Sequence, residues 1–396
     1  MDTGPMLRMP MLGRDTQDDH RVSTPLELFF DLTFVVAVAQ AAAALHEGLV
    51  GGHGARAVAV FPMAFFAIWW AWMNFTWFAS AYDNDDVLYR LMVFVQMAGV
   101  LILAAGIPRA FEHSDFGVAT VGYVVMRLAM VSQWVRAALN DLPRRTCALR
   151  YAVGIAAVQV GWVARLALDG AAGWIAFGVL GLVELSIPVW AEAAGRTTWH
   201  PHHVAERYGL FTIIVLGESV LAATIGVQRA IDNDVHIGDV VTVVIGGLLI
   251  VFAMWWIYFA MPRERATEAL RAVFSTRLSG AFAWGYGHYF VFASIAATGA
   301  GLALAVDQAT GSTPLSDRRA AAAITIPVAV YLVTVWLIHR RHKSTHLHPS
   351  ATPIAAALIV AASWAPEPVL VTGVILAVLL SVALVIEGRS PISTTS

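Results

Sequence analysis

Four charged side chains stand inside stretches of sequence that are otherwise apolar: Asp31, Arg127, Glu184 and Glu218. Glu218 lies in Val215-Leu216-Gly217-Glu218-Ser219, and a helix starting near residue 204 carries it about 21 Å along its axis. That depth is at or beyond the middle of a bilayer. An acid placed there is disfavoured by several kcal/mol, so it is either neutral or paired. A carboxylate that takes and releases a proton at midplane is what a proton or cation relay requires. Gly217 is expected to admit a close backbone neighbour and Ser219 adds a hydroxyl. Glu184 and Arg127 also fall near midplane, as mates for each other or for Glu218. One arginine against two or three acids leaves an excess of acid, which points to a protonatable or cation-binding site. Asp31 sits one helical turn past Glu27 on the same face, about 6 Å deeper, beyond any capping role. Its structural alternative is a hydrogen bond to Arg21, Arg90 or a neighbouring hydroxyl.

Other polar residues have local explanations. Thr24-Pro25-Leu26-Glu27 reads as a capping box, with Thr24 at the N-cap, Pro25 at N1 and Glu27 at N3. Glu206 and Arg207 are expected to play a similar structural part at the start of the seventh span. Gln40 and Asn74 are binding candidates, although such amides serve more often as interhelical hydrogen bonds. His288 is kept as a candidate because imidazole titrates near neutral pH. The Trp69–Trp77 cluster could box an organic cation, or simply pack. His202 and Glu206 have an i,i+4 metal spacing if their helix begins early, but no metal and no cofactor is expected. His-Glu-x-x-His, Gly-x-x-x-x-Gly-Lys-Ser/Thr and Gly-x-Ser-x-Gly are absent, so nothing suggests ATP hydrolysis or nucleophilic catalysis. The single cysteine, Cys147, rules out an intrachain disulfide.

The elements that hold these residues are membrane helices. Of 396 residues, 58% are hydrophobic and only 13% charged, about half the charge of an ordinary soluble domain. The mean hydropathy is +0.68. Apolar stretches of spanning length fall at about 24–45, 56–78, 89–107, 117–139, 147–168, 172–192, 204–226, 238–260, 280–304, 320–339, 352–365 and 368–387. The expected fold is therefore all-α, a polytopic helical membrane protein of about 12 spans. The eleventh span is short and bounded by Pro353 and Pro366, so it is expected to be tilted or partly re-entrant. Residues 1–23 form a polar arm without the apolar core of a signal peptide. With this arm cytoplasmic, 18 of the 25 Lys and Arg lie in inner segments, six in outer ones and Arg127 inside a span. That bias places both termini in the cytoplasm.

The chain also reads as an internal repeat. Trp69-Trp70-Ala71-Trp72 in span 2 is echoed by Trp255-Trp256-Ile257-Tyr258 in span 8, and Glu27 by Glu206. Two parallel six-helix halves follow: 24–192 and 204–387, joined by a cytoplasmic linker 193–203 and ending in a tail 388–396. Sites in such folds tend to lie near midplane between the halves.

Val22-Ser-Thr-Pro-Leu-Glu-Leu-Phe-Phe-Asp-Leu-Thr-Phe-Val-Val-Ala-Val-Ala-Gln40 resembles the bacterial low temperature requirement A (LtrA) family. So do Trp69 to Trp77, the run Asp83 to Asp86, His203-Val-Ala-Glu-Arg-Tyr-Gly-Leu-Phe211, Leu216-Gly-Glu-Ser219 and His288. The resemblance implies a bacterial integral membrane protein, in the inner (plasma) membrane, and it names a growth phenotype instead of a reaction. The leading expectation is a secondary transporter or channel that uses midplane carboxylates for proton or cation coupling. An alternative is a non-transporting sensor or lipid-interacting scaffold with a structural charge network. A third is an intramembrane lipid-modifying enzyme using Glu218 and His288. The expected partners are the lipid bilayer and a proton, cation or small molecule, with no nucleic acid: basic inner loops match anionic headgroups.

Overall fold

The apolar stretches become helices in the computed structural model, which describes residues 7–14, 22–232, 237–260, 278–339 and 350–389. Among the described residues there are twelve α-helices and no strand. They are α1 (Pro25–Val50), α2 (Gly54–Tyr82), α3 (Val87–His113), α4 (Gly117–Asn140), α5 (Arg145–Arg165) and α6 (Gly170–Glu192). Then come α7 (Pro201–Asp232), α8 (Ile237–Phe259), α9 (Leu278–Ala309), α10 (Asp317–His339), α11 (Ala351–Ala361) and α12 (Pro368–Arg389).

Eleven of these stretches are long and apolar enough to cross a membrane. The twelfth, α11, has 11 residues before a 3-10 turn over Ala362–Trp364. Its α-helical part spans about 17 Å, short of the 30 Å hydrocarbon core. The prolines that bound it explain the length: Pro366 and Pro368 cannot continue the helix hydrogen-bond ladder. The distribution of side chains matches a lipid solvent. Val160, Leu182, Ile175 and Phe252 are exposed, while Glu27, Asp31, Glu184 and Arg207 are fully buried. The chain is a multi-pass helical membrane protein.

The helices group into two compact units, residues 1–41 with 59–211, and residues 42–58 with 212–396. The divisions fall inside α1, α2 and α7, and the first turns of α7 group with the first unit. In the first unit α3 lies against α4, α4 against α5 and α5 against α6. In the second, α9 lies against α10, α10 against α11, α11 against α12, and α8 against α12. Glycines set the closest crossings. A Cβ on Gly122 would stand 2.3 Å from the Leu103 nitrogen, and one on Gly106 2.3 Å from the Ala119 nitrogen. In the second unit a Cβ on Gly301 would stand 2.4 Å from the Ala323 oxygen, and one on Gly246 2.6 Å from the Leu370 nitrogen. Small residues of this kind let membrane helices approach backbone to backbone.

Part of the expected N-terminal arm is tied down. Met11 is buried, the Met9 N–H donates to Asp86 at 2.7 Å, and the Met11 N–H donates to Asn140 at 3.0 Å. The Arg14 guanidinium reaches the Asp83 carbonyl at 2.7 Å. Residues 9–14 are thus held against the ends of α2, α3 and α4. Residues 1–6 and 15–21 lie outside the described residues.

Candidate functional site

The first unit holds a sealed cluster built from two helices. Thr24 and Glu27 make the expected capping box: the Thr24 N–H donates to Glu27 Oε2 at 2.8 Å, and the Glu27 N–H to Thr24 Oγ1 at 3.3 Å. Glu27 and Asp31 are i,i+4 on α1, and His203 and Arg207 are i,i+4 on α7, so each pair presents one face. The faces meet in register. His203 Nε2 lies 3.1 Å from Glu27 Oε1. Arg207 grips Asp31 through two donors, Nε–H to Oδ2 at 3.0 Å and Nη2–H to Oδ1 at 2.6 Å. Its Nη1 lies 3.2 Å from Glu27 Oε1. The Trp72 indole N–H donates to Asp31 Oδ1 at 2.6 Å. All four ionisable side chains are fully buried.

This pairing corrects two expectations. Asp31 is held by Arg207, and Arg90 pairs with Asp85 instead; Arg21 lies outside the described residues. Arg207 is no surface cap, because the acids four residues apart on α1 draw its guanidinium inward. Glu206, beside it, is half-buried on α7.

A second buried cluster surrounds Glu184 on α6. Arg127 Nη2–H donates to its Oε2 at 2.7 Å and the Trp70 indole N–H to the same atom at 2.9 Å. Its Oε1 accepts from Tyr123 Oη at 2.8 Å, from Trp162 at 3.2 Å and from Gln159 at 3.4 Å. Five donors thus surround one carboxylate, while Arg127 Nε and Nη1 find no acceptor among the described residues. Trp70 and Trp72 leave α2 on different sides, two residues apart, and each serves a different acid. Their ring faces pack, Trp72 on Phe211 at 4.3 Å and Trp70 on Phe66 at 5.9 Å. The tryptophan cluster therefore supplies hydrogen bonds and packing to the acids.

The charge count separates the clusters. Arg127 and Glu184 balance one to one. Among the described residues Glu27 and Asp31 face one guanidinium, that of Arg207, with the His203 imidazole against Glu27. Burying carboxylates is costly unless they are paired, and here Asp31 takes the two-donor grip of Arg207 while Glu27 shares Arg207 and His203.

The remaining candidates lie apart from these clusters. Glu218 stands on α7 about 26 Å from its N-terminal residue Pro201. It is partly exposed, and no hydrogen bond or ion pair reaches it among the described residues. A Cβ on Gly217 meets nothing within 4 Å, so the expected close approach is not there. It falls instead at Ser219, whose hydroxyl donates to the Ile295 carbonyl at 2.9 Å and which stands 3.0 Å from a Cβ built on Gly299. His288 is fully buried on α9. Its Nδ1 lies 2.8 Å from the Trp284 carbonyl and its Nε2 3.0 Å from Tyr258 Oη. The carbonyl can only accept, which fixes the proton on Nδ1 and leaves Nε2 to accept from Tyr258. No hydrogen bond joins His288 to Glu218. Asn74 donates to the Trp70 carbonyl of its own helix at 2.8 Å. Gln40 is exposed on α1, away from both clusters. His202 and Glu206 do share one helix, yet no group of three His, Cys, Asp or Glu among the described residues could hold a metal.

Sequence reasoning gave no pairing role to His203, Tyr123 or Trp162, and read Trp70 and Trp72 as a cation box or packing, not as donors to the acids. The signal was available for His203: an i,i+4 base pair on one span complements an i,i+4 acid pair on another. The model of the family described as "Bacterial low temperature requirement A protein (LtrA)" matches residues 22–386. A protein of Rhizobium meliloti (strain 1021), named "Uncharacterized protein RA0937", is 27% identical over 305 residues, covering 73% of this chain and 71% of its own length.

Proposed function

The chain belongs to the bacterial low temperature requirement A family, and on that premise we propose that it is a secondary transporter or channel whose buried carboxylates couple to protons or cations. The observation that carries this reading is the buried Glu27–Asp31–His203–Arg207 cluster, in which two acids, an imidazole and a guanidinium meet within membrane spans. Ionisable groups gathered in a membrane interior are the parts that proton relays are made of. Glu218 supplies a second carboxylate, within a membrane span of the other unit and without a partner among the described residues. The similar order of helix neighbours in the two units supports a parallel internal repeat, the third and fourth helices of each crossing at a glycine against an alanine. The distribution of Lys and Arg supports a bacterial inner-membrane orientation with both termini cytoplasmic.

A second reading, a non-transporting sensor or scaffold, draws on the Arg127–Glu184 cluster, which is charge-balanced and rich in donors as a purely structural network would be. Proton flux into liposomes separates the two. The purified protein is subjected to an imposed pH gradient, with a panel of cations, beside Glu27→Gln and Glu218→Gln. Flux that vanishes in either folded variant is the expected result. Absence of flux from the wild type under every gradient and cation defeats the transport reading.

A further inference from the structure

Arg165, the last residue of α5, is buried to within 7% of full enclosure, and among the described residues no carboxylate pairs with it. Its Nε–H donates to the Gly173 carbonyl at 3.0 Å. Its guanidinium carbon lies 4.5 Å from the centre of the Phe116 ring and 5.3 Å from that of Phe177. Beside that one carbonyl, the two ring faces are the negative potential it meets among the described residues, and they compensate a desolvated cation only in part. An arginine at a helix end near the membrane surface usually extends its head into the interface. This one turns into the protein instead.

The space it faces is a narrow cleft among α2, α3, α4, α5 and α6, open at its mouth. The walls are apolar and aromatic, with Phe66, Phe116, Phe177 and Trp162 prominent, and Arg165 is the charged residue lining it. A largely apolar concavity with one placed charge is the form of a small-molecule site. We infer that this cleft binds an amphipathic organic anion, a carboxylate or phosphate with an apolar body, whose head group pairs with Arg165 and whose body lies against the aromatic walls. The anion restores the balance that the arginine lacks, through charge-assisted hydrogen bonds to its Nη groups. Tyr123 and Trp162, which line the cleft, also donate to Glu184, so an occupant touches two of the five donors of that cluster.

The test uses the full-length protein in nanodiscs of neutral phosphatidylcholine. A polyene fatty acid that fluoresces on burial is the probe, displaced by oleate, by oleyl alcohol or by dioleoyl phosphatidic acid. Oleate or phosphatidic acid is expected to displace it at least tenfold better than the alcohol; which of the two prevails tells a free carboxylate from a lipid phosphate. Arg165→Gln is expected to abolish that preference, with Arg165→Lys retaining part of it. Ala67→Phe fills the cleft from α2 with Arg165 in place and is expected to lose probe binding altogether, which covers the case in which Arg165→Gln does not fold. Equal displacement by oleate and its alcohol, undiminished binding in Ala67→Phe, or no binding of any probe overturns the inference.

Discussion

Three substitutions in the α1–α7 cluster should differ sharply in stability although all touch the same few atoms. Arg207→Gln leaves Glu27 and Asp31 facing each other in a sealed site, with two carboxylates and no guanidinium. Asp31→Asn removes the acceptor of two Arg207 hydrogen bonds, at 3.0 and 2.6 Å, and turns an amide N–H toward a donor. Breaking a buried ion pair in this way costs about 3–5 kcal/mol, and Arg207 then has only Glu27, 3.2 Å away. Glu27→Gln leaves the Asp31–Arg207 pair intact and charge-balanced. Glutamine also keeps the oxygen that caps the Thr24 N–H, so the loss reduces to the charge-assisted contact with His203 and the ion pair with Arg207 Nη1, about 1.5–3 kcal/mol together. The expected order of destabilisation is Arg207→Gln, then Asp31→Asn, then Glu27→Gln, with a gap of roughly 2 kcal/mol between the last two. Denaturation in mixed micelles by increasing dodecyl sulfate, followed by tryptophan fluorescence, reads this order directly, since Trp72 donates to Asp31. If Glu27→Gln is as damaging as Asp31→Asn, Arg207 is not held mainly by Asp31.

Two further predictions concern other parts of the fold. Asp86, the N-cap of α3 outside the membrane, is pushed upward by burial, but hydrogen bonds from Arg136, Met9 and Tyr89 outweigh this and hold its carboxyl below the usual range. A depressed folded-state value contributes stability that is complete above the unfolded value near 3.8 and is lost as pH falls through the folded one; acid melts of wild type and Asp86→Asn should therefore converge below that range and diverge above it. Gly122→Ala should destabilise by about 1–3 kcal/mol because its Cβ meets the α3 backbone, whereas Gly178→Ala, with open space around it, should be neutral or favourable by up to about 1 kcal/mol; equal melting temperatures for the two variants would contradict the crossing.

What was readable in the sequence depended on the range of the interaction involved. Span positions and the Thr24–Glu27 box are local, set by hydropathy over a turn or a run, and the helices follow them closely. The short α11 was foreshadowed by Pro353 and Pro366, which act within their own segment. Charge pairing is a different kind of question. Arg207 sits in a sequence that reads as a basic helix start at the membrane surface, and Arg165 as an outer-loop residue, yet both are buried. For Arg207 the reason lies 176 residues away in Asp31, beyond the reach of any window. A single arginine near a helix end is ambiguous for this reason: it extends to the interface when nothing inside needs it and turns inward when an acid does. What resolves the ambiguity is matched spacing. Glu27 and Asp31 repeat at i,i+4, as do His203 and Arg207, so two helices that meet must satisfy both contacts or neither. A lone acid such as Glu218 has no such companion four residues away, and accordingly its partner, if it is an ion instead of a side chain, leaves no trace in the spacing of residues. The flux measurement on Glu218→Gln therefore carries information that no pairing argument can supply.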